Sequence, residues 1–301
     1  MTHAEPVITE CTVNRAAALV PAPHAHANKY SRGKVALVAG SAAYPGAACL
    51  AASAALRSGA GYAQVVCAPQ SVPVVQAFRP SVVASAWDAL DAESAVAKAQ
   101  AVCLGPGLDV ADDMSVAVAL VTLNSWAAPD VPALIDGGAL GVVATPDGRR
   151  ALRNRVAQGA PTVLTPHGGE AARLAKPLGL ALPTGPEDEP AQARLAQELA
   201  RYYGSVVVLK GPITFISNGE AVFRMGLGTP ALAKAGTGDV LAGMISACLA
   251  QGLESLDAAL LGAVWHALAG TAAAQRLTDV CVCAEDVIDS IPEAVKTLQE
   301  A

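Results

Sequence analysis

A glycine-rich turn ahead of an apolar run holds the residues best suited to chemistry: Ala235-Gly236-Thr237-Gly238-Asp239, then Val240-Leu241-Ala242-Gly243-Met244-Ile245. Gly236 and Gly238 give the turn conformational freedom, and the small side chains let consecutive backbone N–H groups point into one concavity. The start of a helix adds a partial positive charge, so a phosphoryl oxygen can be held there without a lysine. Asp239 has two explanations. It can cap the helix, or it can serve as the general base that takes the proton of a hydroxyl attacking phosphorus. A cap needs no Gly-Thr-Gly ahead of it, whereas a base working beside a phosphate needs backbone to come that close, so the catalytic explanation is preferred. An ordinary carboxylate of pKa about 4 would accept the proton only as the oxygen attacks. Gly236, Thr237 and Gly238 would then stabilise the charge spreading over the transferring phosphoryl oxygens.

Other turns have a similar character. Gly40-Ser41 ends an apolar run, and Pro45-Gly46-Ala47-Ala48 opens a helix whose first turn is nearly bare of side chains. A ligand can lie on such a backbone, and tight helix-on-sheet packing is equally served. Gly105-Pro106-Gly107 follows another strand, as a ligand-facing edge or an ordinary turn. In Thr165-Pro166-His167-Gly168-Gly169-Glu170, His167 lies among Pro and Gly rather than apolar side chains, and a plain capping role is its alternative. Glu170 there is a first-turn acid that favours the helix dipole. Lys210-Gly211-Pro212-Ile213-Thr214 leaves the end of a buried strand in a turn shaped to hold a nucleotide, although a lysine there can simply snorkel to solvent. His266, inside an apolar helix, reads as a satisfied core histidine and is given no role.

The elements that carry these turns follow from hydrophobic patterning. From Lys34 onward, short β-branched runs alternate with Ala-rich helical stretches, the pattern of an α/β fold with a mostly parallel central sheet and helices on both faces. The strands are expected at 35–39, 63–67, 101–104, 133–135, 162–164 and 206–209. Helices are expected at 46–58, 114–127, 169–176, 191–203, 239–251 and 256–274. Residues 214–224 alternate around Asn218-Gly219, the pair favoured in a two-residue type I′ hairpin. Residues 1–33 show neither periodicity and are expected to form an N-terminal arm ahead of a single domain spanning 34–301. His24 and His26 in that arm are expected to be solvated rather than metal-bound.

The composition excludes several classes. The 301 residues carry 20 basic and 26 acidic side chains, net −6, and only 4% are aromatic, so the basic field and stacking platforms of a nucleic-acid binder are missing. Mean hydropathy is +0.40, but the longest apolar candidate, 258–274, is shorter than a bilayer span and contains His266. No secretory pattern opens the chain, and a cytoplasmic protein without membrane or nucleic-acid partners is expected. Seven cysteines without a Cys-x-x-Cys pair are expected to be core thiols.

The glycine loop ending in Asp239 resembles the ribokinase-like superfamily. Taken with 38–48, 54–62, 105–107, 164–170 and 209–214, in that order over about 33–292, the chain is similar to the ADP-dependent NAD(P)H-hydrate dehydratases, the C-terminal half of YjeF-type proteins. The resemblance implies a ribokinase-like fold and repair of hydrated NADH and NADPH, with ADP as phosphoryl donor and magnesium present. It assigns the substrate to Ala47, Gly107, His167 and Asp239, the adenylate to Lys210 through Thr214 with Gly238, and a magnesium-organising place to Glu170. It also implies a homotetramer and a functional partner, an NAD(P)H-hydrate epimerase. Two departures stand out: Asp136-Gly137-Gly138 where the family has Asp-Ala-Asp, and Gly228-Thr229-Pro230-Ala231-Leu232-Ala233 where it has Gly-Asn-Pro-Gly-Met-Ala. A small-molecule kinase of the hydroxyethylthiazole kinase kind, or a nucleotide-binding module without catalysis, are the alternatives.

Overall fold

The computed structural model describes residues 6–90 and 92–301. One ten-stranded sheet organises them. In chain order its strands are β1 (Ile8–Glu10), β2 (Lys34–Val38), β3 (Tyr62–Cys67), β4 (Val83–Ala86), β5 (Ala101–Leu104), β6 (Ala133–Ile135), β7 (Thr162–Leu164), β8 (Val206–Leu209), β9 (Thr214–Ser217) and β10 (Val222–Met225). They lie side by side as β1-β10-β9-β8-β7-β6-β5-β2-β3-β4. Every pairing is parallel except those of β9 with β8 and β10. The six strands expected from β-branched runs all form.

The helices are α1 (Val13–Ala17), α2 (Pro45–Arg57), α3 (Val72–Phe78), α4 (Ala92–Ala97), α5 (Asp113–Val121), α6 (Gly137–Val143), α7 (Pro146–Ala157), α8 (Gly168–Ala175), α9 (Glu189–Tyr203), α10 (Thr237–Ala250), α11 (Ser255–Leu277) and α12 (Ala284–Gln299). Alternate strand residues feed two cores. Val35, Leu37, Val65 and Cys103 face a layer built from α2, α10, α11 and α12. Val38, Val66, Leu104 and Ile135 face the opposite layer, where α4 through α9 lie. Burial on both faces explains why these strands read as continuous apolar runs rather than alternating ones. Alanine and glycine dominate the first layer because its helices come very close: a Cβ on Gly243 would meet the Ala51 carbonyl oxygen at 2.1 Å.

Several expectations need correction. Residues 1–5 of the expected arm lie outside the described residues. The rest is not featureless: β1 pairs in parallel with β10, and Arg15 stacks over the Phe223 ring at 4.6 Å. A three-residue edge strand is too short to show a period. The hairpin turn is not a two-residue type I′. The register Val222↔Ser217 leaves the four-residue loop 218–221, in which Asn218 Oδ1 accepts from the amides of Glu220 and Ala221. The single helix expected at 114–127 instead turns π-helical over Thr122–Trp126, where Thr122, Asn124 and Ser125 donate back to carbonyls four residues earlier and loosen the ladder. Helix α11, at 23 residues, is longer than expected and could by length cross a bilayer, but 72% of its most apolar window is buried inside the protein. Five cysteines are buried as expected, while Cys281 and Cys283 are exposed. His24 and His26 are exposed.

Candidate active site

The carboxyl ends of five parallel strands and the start of α10 supply the expected residues, the edge at which open α/β sheets bind ligands. After β2, the Gly40 amide donates to the Pro106 carbonyl and the Ser41 amide to the Gly107 carbonyl, both at 2.8 Å, which locks the two turns together. Gly107 has φ +66°, and a Cβ there would lie 2.5 Å from the Tyr44 carbonyl oxygen and 2.7 Å from Ala47 Cβ. Ala47 and Gly107 therefore abut, beside Gly46, whose Cβ direction is open space.

Gly236 is the N-cap of α10, in a left-handed conformation with φ 90°. The Thr237 hydroxyl is spent on the carbonyls of Leu232 and Lys234, at 2.7 and 2.8 Å, so it shapes the turn rather than facing a ligand. The Val240 amide reaches the Gly236 carbonyl at 3.1 Å, whereas the amides of Gly236, Gly238 and Asp239 donate to no protein group. Free amides at a helix start are an anion site. Asp239 sits three residues past the cap and its carboxylate caps nothing, which removes the capping explanation and leaves it as a first-turn acid facing the helix dipole.

The sequence expectation of an ordinary carboxylate at Asp239 is overturned. Burial and then the charge of Asp136 push its pKa up to about 7, against the pull of Lys210. Asp136 lies at the end of β6, 4% exposed at its side chain, and accepts from Lys210 Nζ at 2.8 Å and from Thr165 Oγ1 at 2.7 Å. Burial draws Lys210 down, but Asp136 and Glu170 outweigh it and hold the ammonium above its usual value. Lys210 is thus not a snorkelling lysine. Its Nζ lies 3.4 Å from where a Gly238 Cβ would be, so a positive charge stands against the free amides.

His167 is the N-cap of α8: its Nδ1 accepts from the Gly169 amide at 3.1 Å, while Glu170 Oε2 accepts from the His167 amide at 2.9 Å. The capping alternative is therefore real, yet the ring remains half exposed and borders the main cavity. Glu170 is buried, and burial raises its pKa. No group of three or more potential metal ligands gathers among the described residues. Glu170 Oε1 has no protein partner, so the donor set fits a magnesium that keeps its waters and leans on one carboxylate plus substrate phosphates.

A cavity of about 700 Å³ joins His167, Lys210, Gly211, Pro212, Thr214, Thr237 and Gly238. Ile213 does not line it and packs against the core instead. Ala47 and Gly107 stand apart from it, at the β2 and β5 ends, and Gly236, Asp239 and Glu170 are not among its lining residues either, although Thr237, Gly238, His167 and Lys210 beside them are. The rest of the wall is Met225 through Pro230 with Leu232, Ala233, Lys234, Leu241, Ala263, His266 and Ala267, which sequence reasoning did not assign. The departure at 228–233 therefore lies against the ligand space. Gly138, the other departure, is forced: a Cβ would meet the Leu108 carbonyl oxygen at 2.1 Å, so the aspartate usual in the family has no room.

Comparison with known proteins matches residues 35–293 to the NAD(P)H-hydrate dehydratase family model. The chain belongs to the NAD(P)H-hydrate dehydratase family. Among curated relatives, the ADP-dependent (S)-NAD(P)H-hydrate dehydratase of Xanthomonas campestris is 33% identical over 90% of this chain and 91% of its own length. The bifunctional NAD(P)H-hydrate repair enzyme of Mycobacterium leprae is 37% identical over 94% of this chain but 55% of its own length. The chain thus spans about half of such bifunctional relatives. A Bacillus subtilis ADP/ATP-dependent NAD(P)H-hydrate dehydratase, co-crystallised with ATP and Mg2+, superposes with a TM-score of 0.78 at 28% identity, covering 97% and 99% of the two chains. A ribokinase-like superfamily protein from Enterococcus faecalis, at TM-score 0.83 and 24% identity over 98% and 97%, shows the expected fold.

Proposed function

We propose that this chain removes water from (S)-NAD(P)H hydrate at the expense of ADP. The observation that carries the proposal is Asp239, held near neutrality beside free helix-start amides and the Lys210 ammonium. Hydroxide is a poor leaving group. Attack of the ring hydroxyl oxygen on the terminal phosphorus of ADP breaks the P–O bond to AMP, and Asp239 takes the hydroxyl proton. The Gly236, Gly238 and Asp239 amides, with Lys210, hold the phosphoryl oxygens. Elimination then expels phosphate, a proton leaves the adjacent ring carbon, and the reduced nicotinamide is restored.

Lys210 through Pro212 and Thr214, lining the cavity, support binding of the nucleotide; Ala47, Gly107 and His167 would take the hydrated ring. If magnesium takes part, Glu170 would hold it through water, and its contribution would be charge neutralisation between phosphates. The family match favours repair over stable phosphorylation of a small alcohol. An epimerase as functional partner and a homotetramer rest on resemblance, and a cytoplasmic location on the sequence expectation alone. Mixing the protein with hydrated NADH and ADP should restore the absorbance of the reduced nicotinamide with AMP and phosphate released in equal amounts. No recovery with ADP or ATP, or a stable phosphorylated product, overturns the proposal.

A further inference from the structure

We infer that the free edge of β4 binds the same edge of a second copy of this chain, antiparallel, across a two-fold axis at Ala84. This goes beyond the nucleotide reading and does not depend on it. Strand β4 ends the sheet and pairs with β3 alone. The Trp87 amide donates to the Cys67 carbonyl at 2.9 Å, so in this parallel ladder the odd-numbered residues of β4 turn their amides and carbonyls toward β3. The backbone groups between them point away from the sheet. The Val82 amide is met locally by the Arg79 carbonyl at 3.0 Å, and the Ala86 carbonyl by the Ala89 amide at 3.1 Å. Left without a partner among the described residues are the Val82 carbonyl, the amide and carbonyl of Ala84, and the Ala86 amide.

That remainder is self-complementary. With Ala84 opposite Ala84 of the second copy, the two residues exchange both hydrogen bonds, and each Ala86 amide meets the other copy's Val82 carbonyl. A slip of two residues either way sets a locally spent group against a free one. The charges agree with the same arrangement. Arg79 and Asp88 flank the strand, the residues between them carry no charge, and neither forms an ion pair among the described residues. An antiparallel two-fold sets the Arg79 end of each strand beside the Asp88 end of the other. Apolar surface borders the edge: Val83 is exposed, as are Val74 and Phe78 on α3, which packs against β4. Edges that stay unpaired carry lysine, proline or a bulge, and β4, Val-Ala-Ser-Ala in unbroken register with β3, has none of these.

The test is sedimentation equilibrium, at micromolar concentration and low salt, of the wild-type chain, Ala84→Pro, Arg79→Asp, Asp88→Arg and the Arg79→Asp/Asp88→Arg double variant. Wild type should sediment as a dimer or a multiple of one. Ala84→Pro removes an amide that has no partner within the chain, so the fold tolerates it, and the assembly should fall to half its mass. Each single charge variant should dissociate about tenfold more readily, because like charges then meet twice across the axis. The double variant, its charges exchanged, should associate as wild type does. A monomeric wild type overturns the inference, as does an unchanged mass in Ala84→Pro or unchanged association in both single charge variants. Weakened single variants that the double variant does not rescue overturn the two-fold arrangement. Should Ala84→Pro fail to fold, which a thermal melt shows, the three charge variants decide.

Discussion

Below a pH of about 7 the Asp239 carboxyl keeps its proton, because burial and the Asp136 charge both oppose ionisation. As the base in the proposed reaction it must be ionised, so kcat should climb with pH and level off above about 7, which a pH–rate profile measures. Asp239→Asn should lower kcat about 10²- to 10⁴-fold and leave ADP binding in place; unchanged activity would restore the module without catalysis. The same group affects stability in the opposite sense. Its folded pKa lies above the ordinary 3.8, so the native state binds the extra proton between 3.8 and about 7, and stability falls as pH rises through that window. Asp239→Asn should therefore melt higher than wild type at pH 8, the gap narrowing as pH falls below about 7. Lys210→Met should cost about 3–5 kcal/mol, since it leaves Asp136 buried without its cation. It should also move the acid limb of the rate profile upward, because Lys210 lowers the Asp239 pKa. Adding Asp136→Asn should recover part of the stability but not the activity.

The turn before α10 is where local sequence and local geometry agree most closely. Gly236 has φ 90°, and a Cβ there would lie 2.7 Å from Leu50 Cδ1. Gly236→Ala should destabilise by more than about 1 kcal/mol and reduce kcat, with urea unfolding and single-turnover rates as the readouts. Legibility ended where an element's form depends on distant partners. Asn218-Gly219 announced a reversal, but its length was set by the register of β9 against β10. Helix α6 begins with Gly137-Gly138, weak helix formers, and forms because Leu140 and Val143 have a core to enter. Helix α12 carries Pro292 inside it, which hid its period, yet the helix persists with Val287, Ile288 and Ile291 buried against α11.

Across the whole molecule, the first described residues complete the sheet. Cys11 donates its amide to the Arg224 carbonyl at 2.8 Å, and Arg224 pairs with both Glu10 and Glu189. Deleting residues 1–20 should expose the β10 edge and Phe223. The expected outcome is a loss of at least about 2 kcal/mol and self-association, visible in thermal melts and light scattering. Six parallel strands, the hairpin and six of the twelve helices among the described residues were legible in the sequence, as were the glycine turns and the acid beside them, because hydrophobic period and glycine's freedom act over a few residues. The sequence also put His167 and Lys210 in turns after strands and Asp239 at a helix start, and the structure brings His167 beside Lys210. Only the tertiary structure joined Lys210 to Asp136 across 74 positions, gave Asp239 a proton affinity near neutrality, and set His266 on the cavity wall. Those properties are set by burial and by neighbouring charge, quantities that exist only once remote segments exclude water from a shared space.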